Sequence, residues 1–278
     1  MVIGLSLAVV IATYFATFAD MVLIWWNSST FNHCFLIVPI ALYLIAESRA
    51  RLVGMRPTVA PLALLFLVSN GLLWSIGLLL GIAFFQHLAV VGFLIGVSWL
   101  LIGPRVAWAL WFPLFYFYFG VPEGEFLVPY LQDWTAKVLV TMLRISNIPV
   151  FIEGRYLSIP SGNFVVAEAC SGINYLIATV SVGSMYAYLR FHTIWRRVVF
   201  MLLTVAVPLI ANGLRAYGIV MIAHLSQYKY AMGIDHYIYG WLFFGVVIFI
   251  LFAVGNTFSD KNDALYEKTS IHWVRSDK

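Results

Sequence analysis

Three polar residues stand in otherwise apolar surroundings and have the types that thiol acyl transfer requires. They are Cys170 in Val166-Ala167-Glu168-Ala169-Cys170-Ser171-Gly172, Arg215 in Asn212-Gly213-Leu214-Arg215-Ala216-Tyr217, and His236 in His236-Tyr237-Ile238-Tyr239-Gly240-Trp241. A thiolate that attacks a peptide carbonyl forms a tetrahedral oxyanion and then a thioester, which a second nucleophile opens. The oxyanion needs a cation or N–H donors, and the leaving amine needs a proton. Cys170 sits where a loop becomes a helix, so the unpaired N–H groups of the first turn and the helix dipole favour its thiolate. The plainer reading of a lone cysteine is a packed or disulfide-bonded one, and for Arg215 and His236 taken singly it is a helix-pairing arginine and an interfacial histidine. An arginine within an apolar span costs about 2.5–3.5 kcal/mol, and at ~1.5 Å per residue Arg215 lies roughly 12 Å from the outer end of its helix, able to turn its charge outward. Jointly the three outweigh their separate plain readings.

The elements that must position them follow from composition. Of 278 residues 63% are hydrophobic and only 10% charged, with a mean hydropathy of +0.93, outside the range of water-soluble domains. No acidic residue, lysine or arginine lies between Arg56 and Arg105, between Glu168 and Arg190, or between Asp235 and Asp260. Since a span needs ~20 apolar residues, the expectation is an all-α polytopic membrane protein with about eight transmembrane helices, near residues 2–19, 31–46, 59–80, 82–102, 106–120, 173–189, 198–223 and 237–256. Residues 1–258 read as one membrane domain and 259–278 as a cytoplasmic polar tail. Arg49, Arg51 and Arg56, then Arg105, then Arg190, Arg196 and Arg197 mark loops that this count puts on one side, which the positive-inside rule makes cytoplasmic along with both termini. The net charge of +4 is spread over these loops, so membrane lipid is a partner and nucleic acid is not.

One long extracytoplasmic connection, between spans five and six, separates the fifth span from Cys170. From Phe126 to Ser146, the residues Leu127, Tyr130, Leu131, Trp134, Val138 and Ile145 form an apolar stripe, with Asp133, Lys137, Thr141 and Arg144 opposite. That spacing predicts an amphipathic helix at an interface or cavity wall. Residues 150–166 are β-branched and aromatic, with turn signals at Glu153-Gly154 and Pro160-Ser161-Gly162, and predict a small β-hairpin. It leads into Cys170 at the outer mouth of the sixth span, level with Arg215 and His236.

Glu168, Asn212 and His33 are candidate substrate-binding residues: Glu168 by its nearness to Cys170, Asn212 by sharing a helix face with Arg215, and His33 by its place at the outer end of the second span. His224, nine positions beyond Arg215, falls on the other side of its helix and reads as interfacial. His87, His192 and His272 have no ligand spacing, and no HExxH, paired CxxC, GxSxG or phosphate loop occurs. No metal and no cofactor is expected. Cys34 and Cys170 are too few for a disulfide framework, though one bridge between them is open.

The three blocks around Cys170, Arg215 and His236 resemble the signature blocks of exosortases, most of all the exosortase A type. The segment Thr30-Phe31-Asn32-His33 before Leu36-Ile37-Val38-Pro39-Ile40 and the Glu153-Gly154 turn are similar too. Cys34 departs from the glycine expected after that histidine. The resemblance implies a membrane cysteine protease and transpeptidase, a hydrolase of the Gram-negative cell inner membrane whose site faces the periplasm. Its substrates would be exported proteins bearing a C-terminal PEP-CTERM sorting signal, and the family is linked to exopolysaccharide and biofilm production. By the same resemblance Cys170 forms the acyl-thioester, while Arg215 and His236 divide proton donation and transition-state stabilisation. Because an arginine keeps its charge at every physiological pH, elementary chemistry favours Arg215 at the oxyanion and His236 as proton carrier. Two other classes compete. A transporter or polysaccharide-export component would use Arg215 to bind an anion, and a membrane glycosyltransferase would draw on Glu123, Glu125 and Glu168.

Overall fold

The computed structural model describes residues 2–227, 235–257 and 259, the side chains of 235–239 and 241 excepted. The chain divides into two compact units, Met1–Glu123 and Gly124 onward. The first holds α1 (Val2–Thr13), α2 (Phe15–Asn27), α3 (Ile37–Glu47), α4 (Leu62–Leu80), α5 (Ala83–Ala109) and α6 (Trp111–Tyr116), with 3-10 turns flanking α3 and following α6. The second holds α7 (Val128–Ile145), β1 (Phe151–Glu153), β2 (Tyr156–Ile159), β3 (Gly162–Val165), α8 (Ile173–Arg190), α9 (Ile194–Leu225) and α10 (Asp235–Thr257).

Four helical stretches among the described residues are long and apolar enough to cross a bilayer: Asn32–Leu52, which takes in α3 and its flanking turns, α4, α5 and α9. The pair α1 and α2, bent by 80°, makes a fifth. This is a helical, multi-pass membrane architecture, but it does not support a count of eight spans. The expected first span breaks at Tyr14, whose backbone leaves helical geometry (φ −107°, ψ 27°). The Tyr14 ring stacks on Phe93 at 4.7 Å and meets the edge of Trp74 at 5.1 Å, fixing the bend. The expected fifth span, 106–120, is three short pieces: the end of α5 beyond its break at Gly103, the six-residue α6, and the 3-10 turn Phe117–Gly120. The sixth, α8, forms where expected but is less apolar than the other spans. Its buried Thr179, Ser181, Gly183 and Ser184 are small or polar residues, suited to close helix packing rather than to lipid. The described apolar part of α10 is the shorter segment Leu242–Thr257. Of the expected tail 259–278, all but Ser259 lies outside the described residues.

Within the first unit an ionisable pair escaped the sequence reading. His87 Nε2, fully buried on α5, lies 2.8 Å from Asp20 Oδ2 on α2. An imidazole in apolar surroundings needs such a partner.

In the second unit the expected hairpin is a three-stranded antiparallel sheet in the order β1-β2-β3, with Ile152 opposite Leu157 and Leu157 opposite Phe164. Both turn signals hold, and each closes one hairpin, so the second turn adds a strand. Leu157, Ile159 and Val166 pack on Ala136, Leu139, Val140 and Leu143 of α7 and on Val220 of α9. The α7 helix forms within one or two residues of its expected ends, but it buries a different face. Leu131, Gln132, Thr135, Ala136, Leu139, Val140 and Leu143 point inward, whereas Tyr130, Trp134 and Ile145 of the expected apolar stripe are exposed. Asp133, Lys137, Thr141 and Arg144 are exposed as well. Helix α7 is turned this way because Gln132 and Thr135 have hydrogen-bond partners inside the unit.

Helices α8 and α9 approach each other at Gly183, where an added Cβ would run into the Thr204 side chain. Gly183→Val should lower the melting midpoint of the purified protein in detergent, at a cost of about 1–3 kcal/mol from overpacking. Gly218→Ala, whose methyl group meets nothing within 4 Å, should leave the midpoint unchanged or raise it.

Candidate active site

The strand β3 delivers the chain to a tight turn that carries Cys170. Gln132 Nε2 donates to the Val166 carbonyl at 2.9 Å and fixes the start of this turn to α7. Glu168–Cys170 then forms a single 3-10 turn, with the Cys170 N–H on the Ala167 carbonyl and the Ser171 N–H on the Glu168 carbonyl. Gly172 at φ 77° reverses the chain into α8, a conformation an L-residue adopts only at a cost. The Ile173 N–H donates to the Ser171 hydroxyl oxygen at 3.4 Å where α8 begins. Cys170 thus lies one 3-10 turn ahead of α8, half-buried, and it is a free thiol.

Asn212 is the residue that ties this turn to α9. It is 4% exposed, and its Nδ2 donates to the Cys170 carbonyl at 2.8 Å and to the Thr135 hydroxyl of α7 at 3.1 Å. Two glycines make room for it. A Cβ at Gly172 would lie 2.6 Å from the Asn212 side chain, and a Cβ at Gly213 would lie 2.6 Å from Val138 of α7. Cys170, like Tyr217 and Met221 of α9, packs against the buried cluster that joins α7, the sheet and Val220 of α9.

Arg215, one turn beyond Asn212, is half-buried with its Cζ 5.5 Å from the centroid of the Tyr175 ring on α8. Its guanidinium also approaches the α10 backbone, where a Cβ at Gly240 would come within 3.0 Å of Nη2. His236 belongs to the first turn of α10, four residues before Gly240; its side chain lies outside the described residues. The structure therefore joins Cys170, Asn212 and Arg215 through one helix and brings α10 to Arg215. Glu168 is exposed at the start of the Cys170 turn. His33 belongs to the first unit, where its Nδ1 is 3.0 Å from the Thr30 carbonyl and its Nε2 is 3.8 Å from Cys34 Sγ. Cys34 is buried there as a free thiol, 3.6 Å from the Phe119 carbonyl. His224 pairs with Ser161 in the β2–β3 turn at 2.8 Å. Among the described residues no three His, Cys, Asp or Glu side chains gather as a metal ion would require.

Gln132, Thr135 and Tyr175 were not singled out in the sequence. Two polar residues three apart on a helix that also carries charges have no signal marking them as buried. Tyr175 is one of fifteen tyrosines, and nothing sets it apart before the fold places it.

If Asn212 and Gly172 are shaped to each other, their substitutions must couple. Gly172→Ala and Asn212→Ala should each destabilise the protein by about 1–3 kcal/mol, one through backbone strain and collision, the other by leaving polar groups unpaired. In the double variant the collision is gone, so the loss should fall well short of the sum. Melting midpoints of the four proteins in one detergent check this.

A scan against protein families matches residues 25–253 to the family described as Transmembrane exosortase. A search of the curated proteins and a search of the solved structures each returned no match. The matched region holds every element of the site, from the Cys170 turn through Arg215 to Gly240, and covers most of the chain. The chain belongs to the transmembrane exosortase family.

Proposed function

We propose that this exosortase is a cysteine transpeptidase that cuts exported proteins at a C-terminal PEP-CTERM sorting signal and passes the acyl group to a second nucleophile. The observation that carries the reading is the Asn212 bridge. One buried amide holds the Cys170 carbonyl against the helix that carries Arg215 one turn later, which ties the turn that bears the thiol to the helix that bears the cation.

In this reading the Cys170 thiolate attacks the scissile carbonyl, and Arg215 stabilises the charge that develops on its oxygen. Collapse of the tetrahedral intermediate breaks the C–N bond, and the leaving amine takes a proton from His236. The acceptor nucleophile then opens the thioester, giving its proton back to His236 and regenerating the thiolate. Asn212 has both its amide hydrogens committed within the protein, so we assign it to holding the turn rather than to binding substrate. Glu168, exposed beside the thiol, is the better candidate for meeting the substrate chain, and His33 stands as a second candidate contact. The enzyme sits in the bacterial inner membrane with both termini cytoplasmic and its site facing the periplasm, and its products serve the cell surface and its exopolysaccharide.

Cells expressing a tripartite substrate with each variant provide the test. Cys170→Ala should reduce processing by at least ~10³-fold and Arg215→Ala by roughly 10²–10³-fold, with membrane levels of the enzyme unchanged. Arg215→Lys should recover part of the loss, since the charge is kept and the planar fork is not. Processing that survives Cys170→Ala would contradict the reading and favour an anion-binding transporter centred on Arg215.

A further inference from the structure

The Arg215 guanidinium requires a seat as well as a charge, and its surroundings supply one that no motif marks. Tyr175 lies on the first turn of α8, five residues beyond Cys170. Its ring stacks on Phe244 of α10 with centroids 4.4 Å apart and planes 28° from parallel. The same ring lies 5.5 Å from Arg215 Cζ, within cation–π range. Its hydroxyl reaches the α10 backbone, where a Cβ at Gly240 would come within 2.8 Å of Oη. Gly240 and Phe244 are one turn apart on α10 and present one face to the tyrosine. The ring is thus fixed by α10 and in turn offers its π-face to the cation of α9, while its own helix starts at the Cys170 turn.

We propose that Tyr175 is a positioning residue for the acyl-transfer reaction, holding the Arg215 guanidinium at the Cys170 end of α8, with Gly240 as the slot that admits both side chains. The inference rests on the transpeptidase reading of Cys170 and Arg215. It assigns the work to the ring: in an apolar environment the face of an aromatic side chain attracts a guanidinium without offering a competing acceptor. A tyrosine held by Phe244 loses little freedom when the cation docks, so Arg215 meets a prepared surface.

The test is cleavage of a purified tripartite sorting-signal substrate by the full-length enzyme in detergent, with melting midpoints measured in parallel. Tyr175→Phe keeps the ring and should retain kcat within about twofold, whereas Tyr175→Leu should lower kcat about tenfold with KM little changed. Tyr175→Leu should add nothing in an Arg215→Ala background, because the two act as one unit. Gly240→Ala should reproduce the Tyr175→Leu loss by displacing the pair, and it replaces that variant if the leucine protein does not fold. Full activity in Tyr175→Leu or in Gly240→Ala would overturn the inference, as would a Tyr175→Phe loss equal to that of the leucine. An undiminished effect of Tyr175→Leu in the Arg215→Ala background would also overturn it. Cleavage that persists in Cys170→Ala marks failure of the underlying reading; a dead Cys170→Ala beside a fully active Tyr175→Leu marks failure of this inference alone.

Discussion

The Asn212 amide donates both its hydrogens inside the second unit, one to the carbonyl of Cys170 and one to the hydroxyl of Thr135. A buried amide left without partners costs about 1–3 kcal/mol, so the sequence around it must be arranged to meet it. Gly172 has no side chain, which leaves room for the asparagine against the turn, and Gly213 lets α9 press onto Val138 of α7. Thr135 faces inward at the expense of the aromatic residues that a purely apolar helix face would have buried. The orientation of α7, the reversal into α8 and the placement of the thiol turn follow from satisfying two buried amides, Asn212 and Gln132, whose partners lie on other elements.

Arg215 brings a second constraint of the same kind. A guanidinium in an apolar helix is tolerated when its surroundings compensate for lost hydration. Tyr175 gives it an aromatic face, and Gly240 lets α10 come close. Because Asn212 and Arg215 are one turn apart on α9, the contact that holds the Cys170 turn and the contact that holds the Arg215 cation share one helix. Placement of reacting groups to within fractions of an ångström is what separates a site from a set of residues.

Much of this was legible in the sequence, for physical reasons that can be named. A cysteine, an arginine and a histidine stand out against apolar surroundings because polar groups there are costly, and the chain belongs to the exosortase family that their blocks resemble. The turns at Glu153-Gly154 and Pro160-Ser161-Gly162 were readable because few residue types form them; Gly154 and Gly162 take positive φ. The face of α7 was not readable. Periodicity ranks residues by hydrophobicity, while burial of Gln132 and Thr135 is decided by partners far away in sequence, Val166 and Asn212. The span count failed on the same ground, since Tyr14 breaks the first expected span, and Leu110 and the 3-10 turn at Phe117–Gly120 interrupt the fifth, within sequence that is apolar on both sides. Tyr175 and the His87–Asp20 pair likewise acquire meaning only from neighbours the fold supplies.

Intact mass of the enzyme during turnover reads directly whether Cys170 carries the acyl group, as we propose. The purified protein is mixed with a tripartite sorting-signal substrate, quenched in acid, and weighed beside the Cys170→Ala variant. The account predicts an adduct equal in mass to the N-terminal acyl fragment, removable by hydroxylamine and absent from the alanine protein, together with release of the signal peptide. Release of that peptide by the alanine variant, or turnover by the wild type with no thiol-linked species under rapid quench, would contradict it.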